Sequence, residues 1–187
     1  MRAAPGCGAG CGCLALAPAL VLAAAIGLGA LLGGVWAAAA VAGQGQLGAG
    51  ATVWPVDGVL TQGFGPTSVV LEPPRCYRGI CYAHFHDGID LAAPLGTPVR
   101  AMAPGRVELA GRVADGAVDV MIDHGAGVLT LYGHLQPALA VVVGQAVGTG
   151  GVIGAVGMTG KTTGPHLHFG VWVDGVPVDP LSVLPPR

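Results

Sequence analysis

The sequence carries little charge and no excess of positive charge. Of its 187 residues, 8 are Lys or Arg and 10 are Asp or Glu, which gives a formal net charge of −2. Arg2 is the only charged residue before Asp57, so the chain from Asp57 onward is acidic overall. Binding to nucleic acid depends on a basic surface. We therefore expect no nucleic-acid partner.

Regular repeats are also absent. The 34 glycines and 15 prolines follow no collagen-like or solenoid period. They separate short valine-rich runs at residues 118–122, 128–132, 141–143, 152–156 and 166–173. Runs this short and this rich in β-branched residues favour strands over helices. The sequence thus predicts a mainly antiparallel β domain over residues 52–187, after a Gly-rich linker at residues 43–51.

Charge is missing altogether from residues 14–42, which are rich in Leu, Ala, Val and Ile. An apolar stretch of this length matches the thickness of a bilayer and predicts an N-terminal hydrophobic helix that contacts the membrane. Its length favours a retained anchor, whereas Ala40-Val41-Ala42 has the small-x-small pattern of a signal-peptide cleavage site. Because Arg2 precedes the segment, residues 1–13 are expected in the cytoplasm and the β domain outside, either anchored or secreted.

Cysteine is scarce, with five residues in the chain. Three precede the apolar segment and receive no functional assignment. Cys76 and Cys81 follow it, and an oxidising compartment would allow them to close a small disulfide loop, with two free thiols as the alternative. Both lie in residues 64–83, where only residues 69–71 suggest a strand. We predict a long surface loop that forms a wall of an active-site cleft.

All six histidines fall within less than half of the chain. Residues two apart on a strand project from one face, so the imidazoles of His166 and His168 are expected in one cleft and Leu167 in the core. His86 and Asp90 would share a face in extended chain as well. Three of these four polar groups could hold Zn²⁺ through nitrogen and oxygen ligands and leave a fourth position for water, as catalytic zinc sites do.

These residues belong to a set of motifs that resembles the lysostaphin-type metallopeptidases, also called the M23 or LytM-type family. The matching stretches are, in chain order, Gly63-Phe64-Gly65, HFHDGIDLAAPLGTPVRAMAPGRV at 84–107, IDHGAGVLTLYGHL at 122–135 and VGMTGKTTGPHLHFGV at 156–171. The likeness extends over residues 54–180. It implies antiparallel sheets that form an open groove. It also implies a zinc-dependent endopeptidase that uses a metal-activated water to hydrolyse peptide bonds of bacterial peptidoglycan, in stem peptides or cross-bridges.

The resemblance also implies a role for each residue of the site. His86, Asp90 and His168 are expected to bind Zn²⁺. His134 and His166 are expected to flank the water, to assist its deprotonation and to stabilise the developing oxyanion. Zinc lowers the pKa of water toward about 7, and imidazoles that titrate near neutrality suit proton transfer.

Four other polar residues in these motifs are weaker candidates for the site or are expected to have structural roles. His84 precedes the first predicted ligand by two residues but lacks the spacing that fits the family, so it is a weaker ligand candidate. Asp87 is a rival to the predicted carboxylate ligand. His124 matches a position that we expect to be structural, within a turn, and Tyr132 is expected to be packed at the end of a strand.

The chain departs from the family pattern at a few positions. Pro66 and Thr67 follow the Phe-Gly pair where an arginine is common, and Gly170 stands where many members carry Glu. We expect these changes to affect substrate contacts. Some members of the family have lost metal ligands and activate other wall hydrolases. The alternative function is therefore a non-catalytic module that binds the wall or regulates another hydrolase. A third possible function is a zinc peptidase that acts on protein substrates outside the wall. His134 and His166 favour an enzyme, because a binding module needs no base beside its metal.

Overall fold

The structure, a computed structural model, describes residues 52–187. The predicted N-terminal helix at residues 14–42 and the linker at residues 43–51 lie outside the described residues. Within the described part, no helix is long and apolar enough to cross a membrane.

Fourteen short strands and one 3₁₀ helix make up the regular structure of this region. In chain order they are β1 (Val59–Gln62), β2 (Gly65–Pro66), β3 (Arg75–Tyr77), β4 (Ile80–Tyr82), β5 (Phe85–His86), β6 (Gly88–Ala92), β7 (Pro98–Arg100), β8 (Gly105–Arg112), β9 (Val118–Asp123), β10 (Val128–Gly133), β11 (Ala146–Val147), β12 (Val152–Ala155), β13 (His166–Val173), β14 (Val176–Val178) and the 3₁₀ helix Pro180–Ser182.

One eight-stranded sheet organises the domain. Its strands follow the order β1-β6-β13-β10-β9-β8-β11, and β14 pairs with β13. The remaining strands form three two-stranded sheets, β7 with β12, β2 with β5 and β3 with β4. Every strand pairing in the described region is antiparallel. The predicted mainly antiparallel β fold is confirmed.

Four of the five valine-rich runs form strands, namely β9, β10, β12 and β13. The run at residues 141–143 does not. A turn begins here, closed by a hydrogen bond of 3.1 Å from the Gln145 N–H to the Val142 carbonyl oxygen. Val142 and Val143 are 68% and 62% exposed. The strand prediction is wrong at this point because these valines leave the core at a turn.

Residues 64–83 contain more regular structure than the predicted loop. Strand β2 and the hairpin of β3 and β4 fall within them, whereas residues 69–71 run into a turn rather than a strand. Cys76 and Cys81 face each other in the hairpin and are joined by a disulfide. The stretch is therefore a folded element closed by a covalent cross-link.

Aromatic side chains attach this hairpin to strand β5. The Phe85 ring is fully buried. Its centroid lies 5.2 Å from that of Phe64, 5.0 Å from that of Tyr77 and 5.7 Å from that of Tyr82. Aromatic pairs at this spacing add to the stability gained from burial alone. Because Phe85 directly precedes His86, the cluster also supports the first predicted metal ligand.

Alternating burial on the central strands separates the core from a polar face. Leu167 and Phe169 on β13 have no exposed surface, while His166 and His168 are half-buried on the other face. The same alternation on β6 places Asp90 between two buried residues. Leu167 lies in the core as the strand period predicts.

Candidate metal centre and active site

A row of paired residues crosses four neighbouring strands of the large sheet. The register pairs Gln62 of β1 with Asp90 of β6. Asp90 is also paired with His168 of β13, and His168 with Gly133 of β10. Paired strands lie about 4.8 Å apart. The register thus brings Asp90 and His168 side by side although they are 78 residues apart in the chain.

Three atoms of the predicted metal ligands converge at this row. His86 Nε2 lies 3.0 Å from His168 Nδ1 and 3.1 Å from Asp90 Oδ1. His168 Nδ1 lies 3.2 Å from Asp90 Oδ1. His86 belongs to β5, and the chain bends at Asp87 before β6 begins. His86 and Asp90 therefore meet across a bend, and not along the extended chain from which their proximity was inferred.

This donor set fits a zinc ion. Three tetrahedral ligands at about 2.0–2.1 Å from zinc lie roughly 3.3 Å from one another, close to the separations of 3.0, 3.1 and 3.2 Å between these atoms. Two imidazole nitrogens and one carboxylate oxygen are also ligand types of catalytic zinc sites, which leave a fourth position open. Among residues 52–187, no other group of three His, Cys, Asp or Glu side chains has such spacing.

The charges around the three ligands favour a cation. Burial opposes a charge on His168, yet the carboxylates of Asp87 and Asp90 raise its pKa to about 9. Burial likewise opposes a charge on Asp90, but its contacts with His168 and His86 lower its pKa. Asp87 and Asp90 therefore stabilise positive charge at this point, and a metal ion held by the three ligands would supply that charge in place of the proton on His168.

A backbone carbonyl orients the imidazole of His86. Its Nδ1 lies 2.9 Å from the Gly63 carbonyl oxygen. A carbonyl oxygen only accepts hydrogen bonds, so His86 donates to it from Nδ1, and Nε2 is the nitrogen that faces the other two ligands. Partners of this kind fix the tautomer of metal-binding histidines.

His134 and His166 lie together beside the ligand group, with their ring centroids 4.9 Å apart. His134 Nδ1 lies 2.8 Å from the Thr159 carbonyl oxygen, and His166 Nδ1 lies 2.8 Å from that of Gly164. Each Nδ1–H donates to its carbonyl, so each Nε2 can exchange a proton. His166 Nε2 is 3.8 Å from Asp90 Oδ2. All five residues predicted for the site are thus brought together.

The backbone of His134 has an uncommon conformation that Asp119 supports. His134 has φ 63°, in the left-handed region that few non-glycine residues adopt. Its N–H donates to Asp119 Oδ1 at 3.2 Å. Burial lowers the pKa of the His134 side chain, so the imidazole is neutral at neutral pH. Asp119 belongs to none of the matching motifs. Its alternation with the buried residues of β9 was the one feature of the sequence that could have placed it on the polar face.

Glu72 is a second cleft residue that the sequence analysis missed. Its Oε1 lies 3.9 Å from His86 Nε2 and accepts a hydrogen bond of 3.0 Å from Gln62 Nε2. Glu72 does not have the sequence spacing from a histidine that is typical of metal ligands, so the sequence did not indicate a place for it in the cleft. The Glu72 carbonyl oxygen lies 2.8 Å from His84 Nδ1. His84 is not part of the ligand group, which agrees with its weaker candidacy.

His124 and Tyr132 belong to a hydrogen-bond network away from the ligand group. His124 Nδ1 donates to the Pro104 carbonyl oxygen at 2.7 Å, and its Nε2 lies 2.8 Å from Thr130 Oγ1. Thr130 Oγ1 lies 3.2 Å from the buried Tyr132 hydroxyl, which accepts a hydrogen bond from the Met102 N–H. Both side chains are held by these hydrogen bonds and lie outside the group with ligand spacing, which fits the structural roles expected for them.

The departure from the family pattern at Gly170 has a local explanation. A Cβ at Gly170 would come 2.5 Å from the ring of Trp172, so this ring occupies the space that a side chain would need. Pro66 lies in β2, where it is paired with Phe85.

The ligand group lies in an open cleft, and residues 64–83 form part of its wall as predicted. The cleft carries more acidic than basic side chains. Besides the histidines, it is lined by five carboxylates and one lysine, namely Glu72, Asp87, Asp90, Asp115, Asp119 and Lys161.

Similar proteins fit this geometry. Over 102 residues the chain is 51% identical to the DD-carboxypeptidase/endopeptidase Mpg of Neisseria meningitidis, a match that covers 54% of this chain and 23% of that protein. It is 40% identical over 124 residues to the peptidoglycan DD-endopeptidase ShyC of Vibrio cholerae, covering 66% of this chain and 28% of that protein. The chain thus spans about a quarter of the length of these curated relatives.

Solved structures agree with these relatives. A zinc-containing peptidase from Vibrio cholerae superposes with a TM-score of 0.58 at 34% identity, covering 69% of this chain and 39% of that one. The catalytic domain of the antimicrobial peptidase lysostaphin from Staphylococcus simulans superposes with a TM-score of 0.55 at 30% identity, covering 67% and 90%. The family model described as Peptidase family M23 matches residues 84–180, more than half of the chain. Since the model, the relatives and the fold agree, this chain belongs to peptidase family M23.

Proposed function

We propose that this chain is a zinc-dependent endopeptidase that hydrolyses peptide bonds in bacterial peptidoglycan. The observation that carries the proposal is the pair His134 and His166, with ring centroids 4.9 Å apart, beside the group of His86, Asp90 and His168. A module that only binds the wall or regulates another hydrolase has no need of side chains that handle protons next to a metal. The arrangement therefore supports catalysis.

His86, Asp90 and His168 would hold the zinc ion. When bound, zinc polarises a carbonyl group and lowers the pKa of water to about 7. His134 is neutral at neutral pH, so its Nε2 can accept a proton from the attacking water and later return it to the departing amine. His166, once protonated at Nε2, can donate a hydrogen bond to the peptide oxygen as it gains negative charge.

The names of the relatives support peptidoglycan as the substrate. Mpg is named a DD-carboxypeptidase/endopeptidase and ShyC a peptidoglycan DD-endopeptidase. We therefore propose cross-links between D-amino acids as the first bond class to test, followed by other bonds of the stem peptides and cross-bridges.

We also propose that the peptidase domain acts outside the cytoplasm, anchored through residues 14–42 or released after cleavage of that segment. The uncharged composition of residues 14–42 supports this location. The disulfide between Cys76 and Cys81 supports it as well, because such bonds persist in oxidising compartments. Peptidoglycan lies in the same compartment.

Digestion of purified peptidoglycan tests the proposed activity. The full chain is incubated with cross-linked wall preparations, and new amino termini are identified by mass spectrometry. We expect cleavage that a zinc chelator stops and added zinc restores. A folded, zinc-loaded chain that leaves every wall preparation intact would favour the non-catalytic module instead.

A further inference from the structure

Each histidine of the site has one ring nitrogen that points away from the ligand group, and His168 differs from the other three in the partner of that nitrogen. His86, His134 and His166 each direct Nδ1 to a backbone carbonyl oxygen, at 2.9, 2.8 and 2.8 Å. His168 instead uses Nδ1 for the ligand group. Its Nε2 lies 3.5 Å from the side-chain oxygen Oδ1 of Asp87. Of these four histidines, only His168 has a side chain, and not a backbone carbonyl, as the partner of this nitrogen.

The Asp87 carboxylate is held from its other side by Arg75. Arg75 Nη2 donates to Asp87 Oδ2 at 2.6 Å. Both side chains are mostly buried, with 33% and 22% exposure. One oxygen of Asp87 therefore binds the guanidinium while the other faces the imidazole. Arg75 directly precedes Cys76, so the disulfide-closed hairpin of β3 and β4 carries this clamp.

Asp87 is not arranged as a metal ligand itself. The group with ligand spacing contains His86, Asp90 and His168 and leaves Asp87 out. Asp87 approaches His168 at Nε2, whereas the other two ligands surround Nδ1. The carboxylate that rivals Asp90 in sequence therefore has a different position and calls for a different role.

We propose that Asp87 is a positioning residue for the metal site. Its carboxylate accepts the Nε2–H of His168 and so holds this imidazole in the tautomer whose Nδ1 lone pair faces the metal, while Arg75 holds the carboxylate in place. The inference rests on the proposed zinc site. Partners of this kind fix the orientation of a metal-binding histidine and make it more basic, and their loss costs about 10–100-fold in metal affinity.

Zinc affinity of the full chain, measured by competition with a chelator of known affinity, tests this role independently of activity. Asp87→Asn should raise the zinc dissociation constant by about 10-fold or more. Arg75→Gln should raise it less, because Asp87 remains. Asp115→Asn is the matched control: it removes one negative charge from the same cleft, at an exposed residue whose Oδ1 accepts the Ala117 N–H. Its zinc affinity should equal that of the wild type.

Nitrogen-15 NMR of the histidines gives a second readout that a merely structural role would not move. In the zinc-loaded wild type, His168 should be protonated at Nε2 and bind zinc through Nδ1, and the exchange of that proton with water should accelerate in Asp87→Asn.

The possible outcomes separate this inference from the proposed zinc site. A folded Asp87→Asn chain with the zinc affinity of Asp115→Asn would overturn the role of Asp87, and so would a wild type that binds zinc through His168 Nε2. If Asp87→Asn does not fold, the wild-type NMR decides: zinc bound through His168 Nε2 overturns the role of Asp87, and unchanged zinc affinity in Arg75→Gln overturns the part assigned to Arg75. A wild-type chain with no zinc affinity would contradict the zinc site itself.

Discussion

Asp90 and His168 face each other across two antiparallel strands, with Asp90 Oδ1 3.2 Å from His168 Nδ1. This pair shows that the register of β6 against β13 builds the centre of the site. Any change that shifts one strand against the other should separate the two ligands. The metal site should therefore be sensitive to substitutions that alter strand spacing without replacing a ligand.

Gly88 offers such a substitution. A Cβ at this position would come 2.5 Å from the Phe169 carbonyl oxygen and 2.9 Å from His168 Cε1. Gly88→Ala should push β6 away from β13, lower stability by about 1–3 kcal/mol as overpacking does, and weaken zinc binding. Thermal melting and zinc titration measure both effects. Gly148→Ala is the control, because no atom lies within 4 Å of a Cβ there. Equal zinc affinity in the two variants would show that the strand spacing is not critical.

His124 should make the stability of the zinc-free chain depend on pH. Burial lowers the pKa of His124 in the folded state, whereas the unfolded value is about 6.5. The unfolded chain therefore binds more protons just below that pH, so stability should fall as the pH drops through about 6.5, by up to ~1.4 kcal/mol per pH unit from this group.

Urea unfolding at several pH values, with wild type and His124→Asn compared, measures this contribution. The variant should be less stable at neutral pH, since the Pro104 carbonyl and the Thr130 hydroxyl lose their imidazole partner. Its stability should also depend less steeply on pH. An unchanged pH slope in the variant would show that His124 does not titrate in this range.

Asp119 should affect the reaction through the backbone of His134. Asp119→Ala leaves the His134 N–H, in its left-handed conformation, without its carboxylate acceptor, and an unsatisfied buried donor costs about 1–3 kcal/mol. We expect peptidoglycan hydrolysis to slow by about tenfold while zinc content stays constant. Asp119→Asn keeps an acceptor oxygen and should recover most of the rate. Wild-type activity in folded Asp119→Ala would rule out this support.

Local patterns in the sequence predicted the parts of the site that depend on neighbours in the chain. The strand period placed Leu167 in the core between His166 and His168, and the structure agrees. The motifs placed the five site residues in the family pattern, and these residues converge in the described structure. Spacing and alternation are properties of one segment, so they can be predicted without knowledge of the sheet.

Contacts between distant segments were not predictable in this way. Asp119 supports His134, and Asp87 meets His168, only because the strands pair in a particular register. His86 and Asp90 are close, as predicted, but the reason given was wrong: the chain between them is bent and not extended. The hairpin around Cys76 was also missed, because its short strands are stabilised by a disulfide and by aromatic packing rather than by a valine-rich pattern.

The most direct test of the proposed enzyme is the rate of peptidoglycan hydrolysis by His134→Ala and His166→Ala, measured on samples whose zinc content and thermal melting match those of the wild type. If both histidines handle protons or stabilise the oxyanion, each variant should keep its zinc and its fold while the rate falls about 10²–10⁴-fold, as for general acid–base groups. A folded, zinc-loaded variant with a near-wild-type rate would contradict the role proposed for that histidine.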